Sequence, residues 1–120
     1  MKEKAILVAA NHEKNLQLLA DFLEDQGYRA EAAVTVAEVD EVLEGGPELD
    51  MALLDVTGFG DSIWDRCERI RKSGIPFFII SPRESRKAEK KSLSEGARDV
   101  LTKPLEKTRL LKLVEIILGE

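Results

Sequence analysis

The sequence predicts a three-layer α/β/α domain: a doubly wound sheet of five parallel strands, covered on both faces by five helices. Three observations predict it. Apolar runs without alternation, Ala5–Ala10, Met51–Leu54 and Ile75–Ile80, read as strands buried on both faces. The segments between them carry apolar residues at steps of three and four, the helical period. Turn residues close the units, at Gly27, Gly45-Gly46-Pro47, Gly74 and Gly96. Strands alternating with helices in this way specify a parallel sheet with right-handed crossovers.

Each element has its own warrant. The run Ala5–Ala10 is the first strand, broken by Asn11-His12-Glu13. From Asn15, the residues Leu16, Leu19, Ala20, Phe22 and Leu23 form one helical stripe that ends at Gly27. A short second strand covers Arg29–Ala33, with Tyr28 at its entry. Thr35 and Glu38 make a Thr-x-x-Glu capping box for a helix through Val36, Val39, Val42 and Leu43. The third strand, Met51–Asp55, runs into a loop containing Gly58 and Gly60. A third helix spans Ser62 to Lys72, with Ile63, Cys67 and Ile70 inward. The fourth strand, Ile75–Ile80, closes on Ser81-Pro82, and a charged helix follows from Glu84 to Glu95. Arg98–Thr102 is the fifth strand. After Lys103-Pro104, the helix from Glu106 to Leu118 carries Leu110, Leu111, Leu113, Val114, Ile117 and Leu118 at helical spacing.

Composition narrows the function classes. At 120 residues the chain reads as one domain, residues 1–120, with 43% hydrophobic and 34% charged residues. A net charge of −5 argues against general nucleic-acid affinity, which rests on Lys and Arg neutralising phosphates. No apolar run approaches the roughly 20 residues of a membrane span, and the N-terminal apolar stretch is too short for a signal peptide. A cytoplasmic location and no membrane partner are expected. The single Cys67 excludes an internal disulfide and reads as a small core residue.

Three polar side chains follow buried strands: Asp55, Ser81 and Lys103. Strand carboxyl ends are where open α/β sheets gather chemistry. A carboxylate there is a nucleophile able to form an acyl phosphate, and a hydroxyl and an ammonium can hold phosphoryl oxygens. On the residues alone, Asp55 reads equally as a cap for the loop after it. The alternative for Lys103 and Asp55 is a surface ion pair, with Ser81 an incidental cap.

At these residues the chain resembles the receiver domains of two-component response regulators, over its whole length. The resemblance rests on the strand ending in Asp55, on Ser81 closing the fourth strand, and on Gly96-Ala97 leading to Val100-Leu-Thr-Lys103-Pro104. It implies a flavodoxin-like fold, Asp55 as phosphoacceptor, and Ser81, Lys103 and Thr57 as phosphoryl contacts. It implies a cis Lys103–Pro104 peptide, a non-enzymatic signalling role, and a histidine kinase or other signalling protein as partner.

The chain departs from that family where a magnesium site belongs. The family places two adjacent acidic residues at the end of its first strand; Ala10 and Asn11 stand there. A hard cation wants oxygen ligands and negative charge. Ala10 offers neither and Asn11 one neutral oxygen, leaving Asp55 as the matched carboxylate of a metal site expected to be weak or absent. Glu13 reads as a helix-dipole partner in the first turn and His12 as a surface loop residue. Phe59 and Ile63 replace the family's proline and glycine after the acceptor, and Val100 replaces its switching aromatic.

A basic row, Arg83, Arg86, Lys87, Lys90 and Lys91, lies on the helix after Ser81, where the family often forms its output or dimer surface. It reads as a contact for an acidic partner or a homodimer face, or as a solvated face interleaved with Glu84, Glu89 and Glu95. Trp64 and Phe59 read as packing residues or partner anchors. No output domain follows Leu118, so signalling through another polypeptide and no direct DNA binding are expected. Three functions follow in order: an atypical receiver acting through protein contacts, a conventional receiver phosphorylated on Asp55, and a small α/β enzyme or flavin carrier. The last lacks the phosphate-binding loop a flavin requires after the first strand.

Overall fold

A computed structural model describes residues 4–46, 48–81 and 86–119, with the backbone alone for residues 86–89. The elements alternate strictly: β1 (Ala5–Ala10), α1 (Glu13–Asp25), β2 (Arg29–Ala33), α2 (Val36–Gly45), β3 (Met51–Asp55), α3 (Ser62–Lys72), β4 (Phe77–Ser81), α4 (Arg86–Ser94), β5 (Asp99–Thr102) and α5 (Lys107–Leu118). The five strands form one sheet in the order β2-β1-β3-β4-β5, every neighbouring pair parallel. The doubly wound α/β expectation holds.

The two-residue period of a strand divides the core into two layers. Ile6, Val8, Leu53 and Ile80 face α1 and α5, meeting Leu16, Leu23, Leu110 and Val114. Leu7, Ala9, Leu54 and Ile79 face the other way, against Val39, Ile63, Cys67 and Ile70. That two-sided burial is why these strands carry no alternating pattern in the sequence. Cys67 is fully buried, and burial pushes its thiol pKa up to about 12, so it stays protonated and inert.

Several boundaries shift for identifiable reasons. β4 begins at Phe77 rather than Ile75, because the Ile75 amide closes the end of α3 on the Ile70 carbonyl at 3.3 Å. Pro76 has no N–H and contributes only its carbonyl, which accepts from the Ala52 amide at 3.0 Å. β5 starts at Asp99, one residue after the sequence places it, and α1 starts at Glu13, two residues before Asn15, where the sequence places its start. The capping box forms, with the Glu38 amide donating to Thr35 Oγ1 at 3.1 Å. Glu38 Oε1 accepts from the Val34 amide at 2.7 Å, one residue before the cap. Pro47, Pro82, Arg83 and the expected start of the charged helix at Glu84 lie outside the described residues.

On the second face, Arg66 of α3 holds Asp40 of α2 through two hydrogen bonds, Nε to Oδ1 at 3.0 Å and Nη2 to Oδ2 at 2.6 Å. Both side chains are about three-quarters covered, so this bidentate pair is screened less than an exposed one. The Arg66 guanidinium holds the Asp40 carboxyl below its ordinary pKa. Asp40→Asn is expected to cost about 1 kcal/mol at neutral pH, roughly 3–5 °C in Tm. A lowered carboxylate pKa stabilises the fold above the ordinary carboxylate value, and that contribution fades as the pH falls below it. Thermal melts from pH 7 downward should therefore show the two proteins converging in acid.

Candidate functional site

The sheet order reverses between β1 and β3, and the crevice beyond their carboxyl ends is where this architecture gathers ligands. Asp55 is the last residue of β3, in register with Ala10 on one side and Ile80 on the other. The strand period puts its side chain on the α1/α5 face with Met51 and Leu53, and the residue is only 6% exposed.

Two partners hold the carboxylate. The Thr57 amide donates to Oδ1 at 3.0 Å, an Asx turn that caps the loop after β3. Lys103 Nζ lies 2.7 Å from Oδ2 and 3.4 Å from Thr57 Oγ1. The loop cap and the ion pair are thus both present, and they share one carboxylate. The pair is not a surface one, because the Asp55 side chain is 8% exposed against 32% for Lys103. Lys103 is brought in by the end of β5, where its amide bonds the Ser81 carbonyl at 3.1 Å and Ser81 pairs with Thr102. The Lys103–Pro104 peptide is cis. Ser81 is buried at the end of β4. The structure therefore gathers Asp55, Thr57, Ser81 and Lys103 at one edge.

The β1 end completes the crevice differently. Ala10 is buried and presents only a methyl group beside Asp55. Asn11 donates its side-chain amide to the Val34 carbonyl at 3.0 Å, tying the loop after β1 to the one after β2. Gly58, at φ +84°, sits so close that a Cβ there would lie 3.0 Å from Asn11 Oδ1. Only glycine takes that approach without strain. Asp55 and Lys103 carry opposite unit charges, so the pair is formally neutral. Among the described residues, no three His, Cys, Asp or Glu side chains cluster as a metal site. His12 and Glu13 are exposed at the start of α1.

The remaining candidates separate by packing. Phe59 and Trp64 are partly buried against the α2/α3 layer and serve as packing residues. Lys91 pairs with Glu95 at 2.9 Å, four residues on, as a solvated helix face does. Arg83 and the side chains of Arg86 and Lys87 lie outside the described residues.

Sequence reasoning missed a groove. A cavity of about 300 Å³ opens between α1 and α5, with Asp55 and Ile80 among its lining residues and Leu18, Leu19 and Phe22 along one side. The available signal was the doublet Leu18-Leu19: a stripe needs only one of two adjacent residues, and Leu18 is left 61% exposed.

Comparison with known proteins bears on the family and the fold. Residues 6–115 match the model of the response regulator receiver domain. The chain is 29% identical over 118 residues to the transcriptional regulatory protein YvrH of Bacillus subtilis, covering 92% of this chain and 47% of that protein. It is 33% identical over 123 residues to the uncharacterized transcriptional regulatory protein YkoG of the same organism, covering 100% and 53%. The chain thus spans about half the length of the curated relatives it matches. A two-component response regulator from Clostridium difficile superposes with a TM-score of 0.86 at 25% identity over 98% of both chains. A CheY-like receiver domain protein from Methanospirillum hungatei gives 0.88 at 24% identity, over 98% of this chain and 95% of that one. The expectation of no DNA partner gains no support from relatives named for transcription. Receiver domains are in general signalling modules that interact with histidine kinases and other signalling proteins. None of the described helices is long and apolar enough to cross a membrane. With its five-stranded parallel sheet, its buried aspartate at the switch of strand order and a family match over nearly its whole length, the chain belongs to the response regulator receiver domains.

Proposed function

We propose that this receiver acts in two-component signalling as an atypical member that works mainly through protein–protein contacts, with Asp55 poorly served for magnesium-dependent phosphorylation. The observation that carries this is Ala10 standing opposite Asp55 in the β1–β3 register. Magnesium binds through carboxylates in near-octahedral oxygen geometry. The donors at hand are one carboxylate, already paired with Lys103 at 2.7 Å, and one neutral amide whose nitrogen is committed to Val34. That set does not fit the ion, so the cofactor is none, or magnesium held weakly. The contact face assigned to this role is the one after Ser81. Its support is Leu93 of α4, a large apolar residue left 50% exposed. A homodimer or another signalling protein would cover it.

A second reading keeps the conventional role, in which a histidine kinase phosphorylates Asp55. What favours it is the retained set of Asp55, Thr57, Ser81 and Lys103 at one edge: a nucleophilic carboxylate with hydroxyls and an ammonium to hold phosphoryl oxygens. Intact-mass measurement after incubation with acetyl phosphate, with and without magnesium, separates the two. The expected result is no stoichiometric phosphoryl adduct under either condition. An adduct that forms in full and disappears in Asp55→Asn overturns the contact-only role.

A further inference from the structure

The two edges of the sheet are unlike. β5 stands at one end, and β2 stands at the other, paired with β1 alone among the described residues. Arg29 and Glu31 of β2 are in register with Ala5 and Leu7, and the Arg29 amide bonds the Lys4 carbonyl at 2.9 Å. Alternation along the strand then turns the amides and carbonyls of Ala30 and Ala32 outward, away from β1. An edge left in that state is a template for another strand, and proteins blunt it with proline, lysine, a bulge or a cover. β2 reads Arg-Ala-Glu-Ala-Ala, without proline or lysine, in unbroken register with β1 and with Ala32 exposed.

The charges on this edge select what can join it. Arg29 and Glu31 lie on the α2/α3 face, the side that Leu7 and Ala33 share. They pair with each other at 2.6 Å, the Arg29 side chain 56% exposed. A second copy running antiparallel about a two-fold axis at Ala30 sets each Arg29 directly opposite the partner's Glu31. Ala30, whose backbone faces outward, then exchanges both hydrogen bonds with its own copy. Centring the join on Arg29 opposes two guanidiniums, and centring it on Glu31 opposes two carboxylates. Centring it on Ala32 leaves both charges without an opposite. Opposite charges directly across a strand pair stabilise it and like charges destabilise it, so one register is favoured.

We propose that β2 is a homodimer edge, two copies joining antiparallel at Ala30 to make one continuous sheet. The two Arg29–Glu31 pairs would then close into a neutral ring of four charges, the same patch serving both subunits as two-fold symmetry requires. The join uses neither Asp55 nor the face after Ser81, and it stands or falls apart from the phosphorylation reading.

Sedimentation equilibrium of the whole chain, from about 10 µM to about 1 mM, tests it. A join this narrow is expected to give a weak dimer, with Kd about 100 µM. Arg29→Glu and Glu31→Arg alter an exposed pair, and each should raise Kd at least about tenfold. Mixed in equal amounts, the two variants should dimerise again, because one brings two carboxylates and the other two guanidiniums to the same ring. Ala30→Pro removes only an outward-facing amide, a change an edge strand tolerates, and should abolish the dimer. Should that variant fail to fold, the charge reversals and their mixture decide alone. A chain monomeric at 1 mM, a dimer indifferent to either charge reversal or to Ala30→Pro in its folded form, or a mixture that stays monomeric overturns the proposal.

Discussion

Replacing Ala10 and Asn11 together by aspartate is expected to make the stability of this domain depend on magnesium. Ala10 is 2% exposed and lies directly beside Asp55 in the sheet register. Two further carboxylates there would face a buried third. Without metal, desolvation and like-charge repulsion are expected to cost about 2–4 kcal/mol. Loss of the Asn11 bond to the Val34 carbonyl adds to that cost. Magnesium at about a hundredfold its dissociation constant would return about 2.7 kcal/mol, or roughly 10 °C in Tm for a domain of this size. The parent chain, whose Asp55–Lys103 pair is formally neutral, should melt at one temperature with or without the ion. Thermal melts in EDTA and in excess magnesium read this directly. A parent that rises with magnesium as much as the double variant would restore the ion to the native site. A double variant indifferent to magnesium would place the obstacle in the loop after β3, where Gly58 packs on residue 11.

The central strands were legible because two-sided burial leaves a mark in one dimension. β1 and β3 needed no correction, since each is an apolar run bounded by a polar break. The apolar run of β4 begins two residues before the strand itself, because Ile75 is as apolar as the strand while its amide belongs to the end of α3. β5 is an edge strand, half-buried at Asp99 and Val100, and apolar content alone marks its start poorly.

The site was legible where one residue carries both a position and a chemistry. Asp55 ends an apolar run and Lys103 follows a short strand, so the sequence pattern alone puts both at the strand edge. What the sequence left open was whether Asp55 capped its loop or paired with Lys103. The answer is both, because a carboxylate has two oxygens and the Thr57 amide and Lys103 approach different ones. The α1/α5 groove was not legible. Its walls come from helices some 85 residues apart in sequence, and Leu19 and Phe22 look like ordinary stripe members until Lys107 arrives over the ring.

Lys103→Met is the substitution that measures how far the strand-end edge around Asp55 depends on its ion pair with Lys103. The change keeps the apolar stem and removes the ammonium, leaving Asp55 with the Thr57 amide and, at its sides, a methyl group and an isoleucine. Orphaning a fully buried charge costs about 3–5 kcal/mol. Lys103 is about one-third exposed, so water can partly replace it, and a loss of about 2 kcal/mol is expected. The reverse change, Asp55→Asn, should cost less, about 1 kcal/mol, since the freed ammonium can turn toward solvent. Combining the two removes both charges, and the double variant should be more stable than the sum of the single losses implies. Urea unfolding at neutral pH, compared at constant m value, gives all four corners of that cycle. The coupling should persist in high salt, because a carboxylate that is 8% exposed is screened far less than a surface group. If Lys103→Met stays within about 0.5 kcal/mol of the parent, as surface substitutions do, then the Thr57 amide alone sustains the Asp55 charge. Lys103 would then be free to leave the carboxylate for an incoming anion at little cost to the fold.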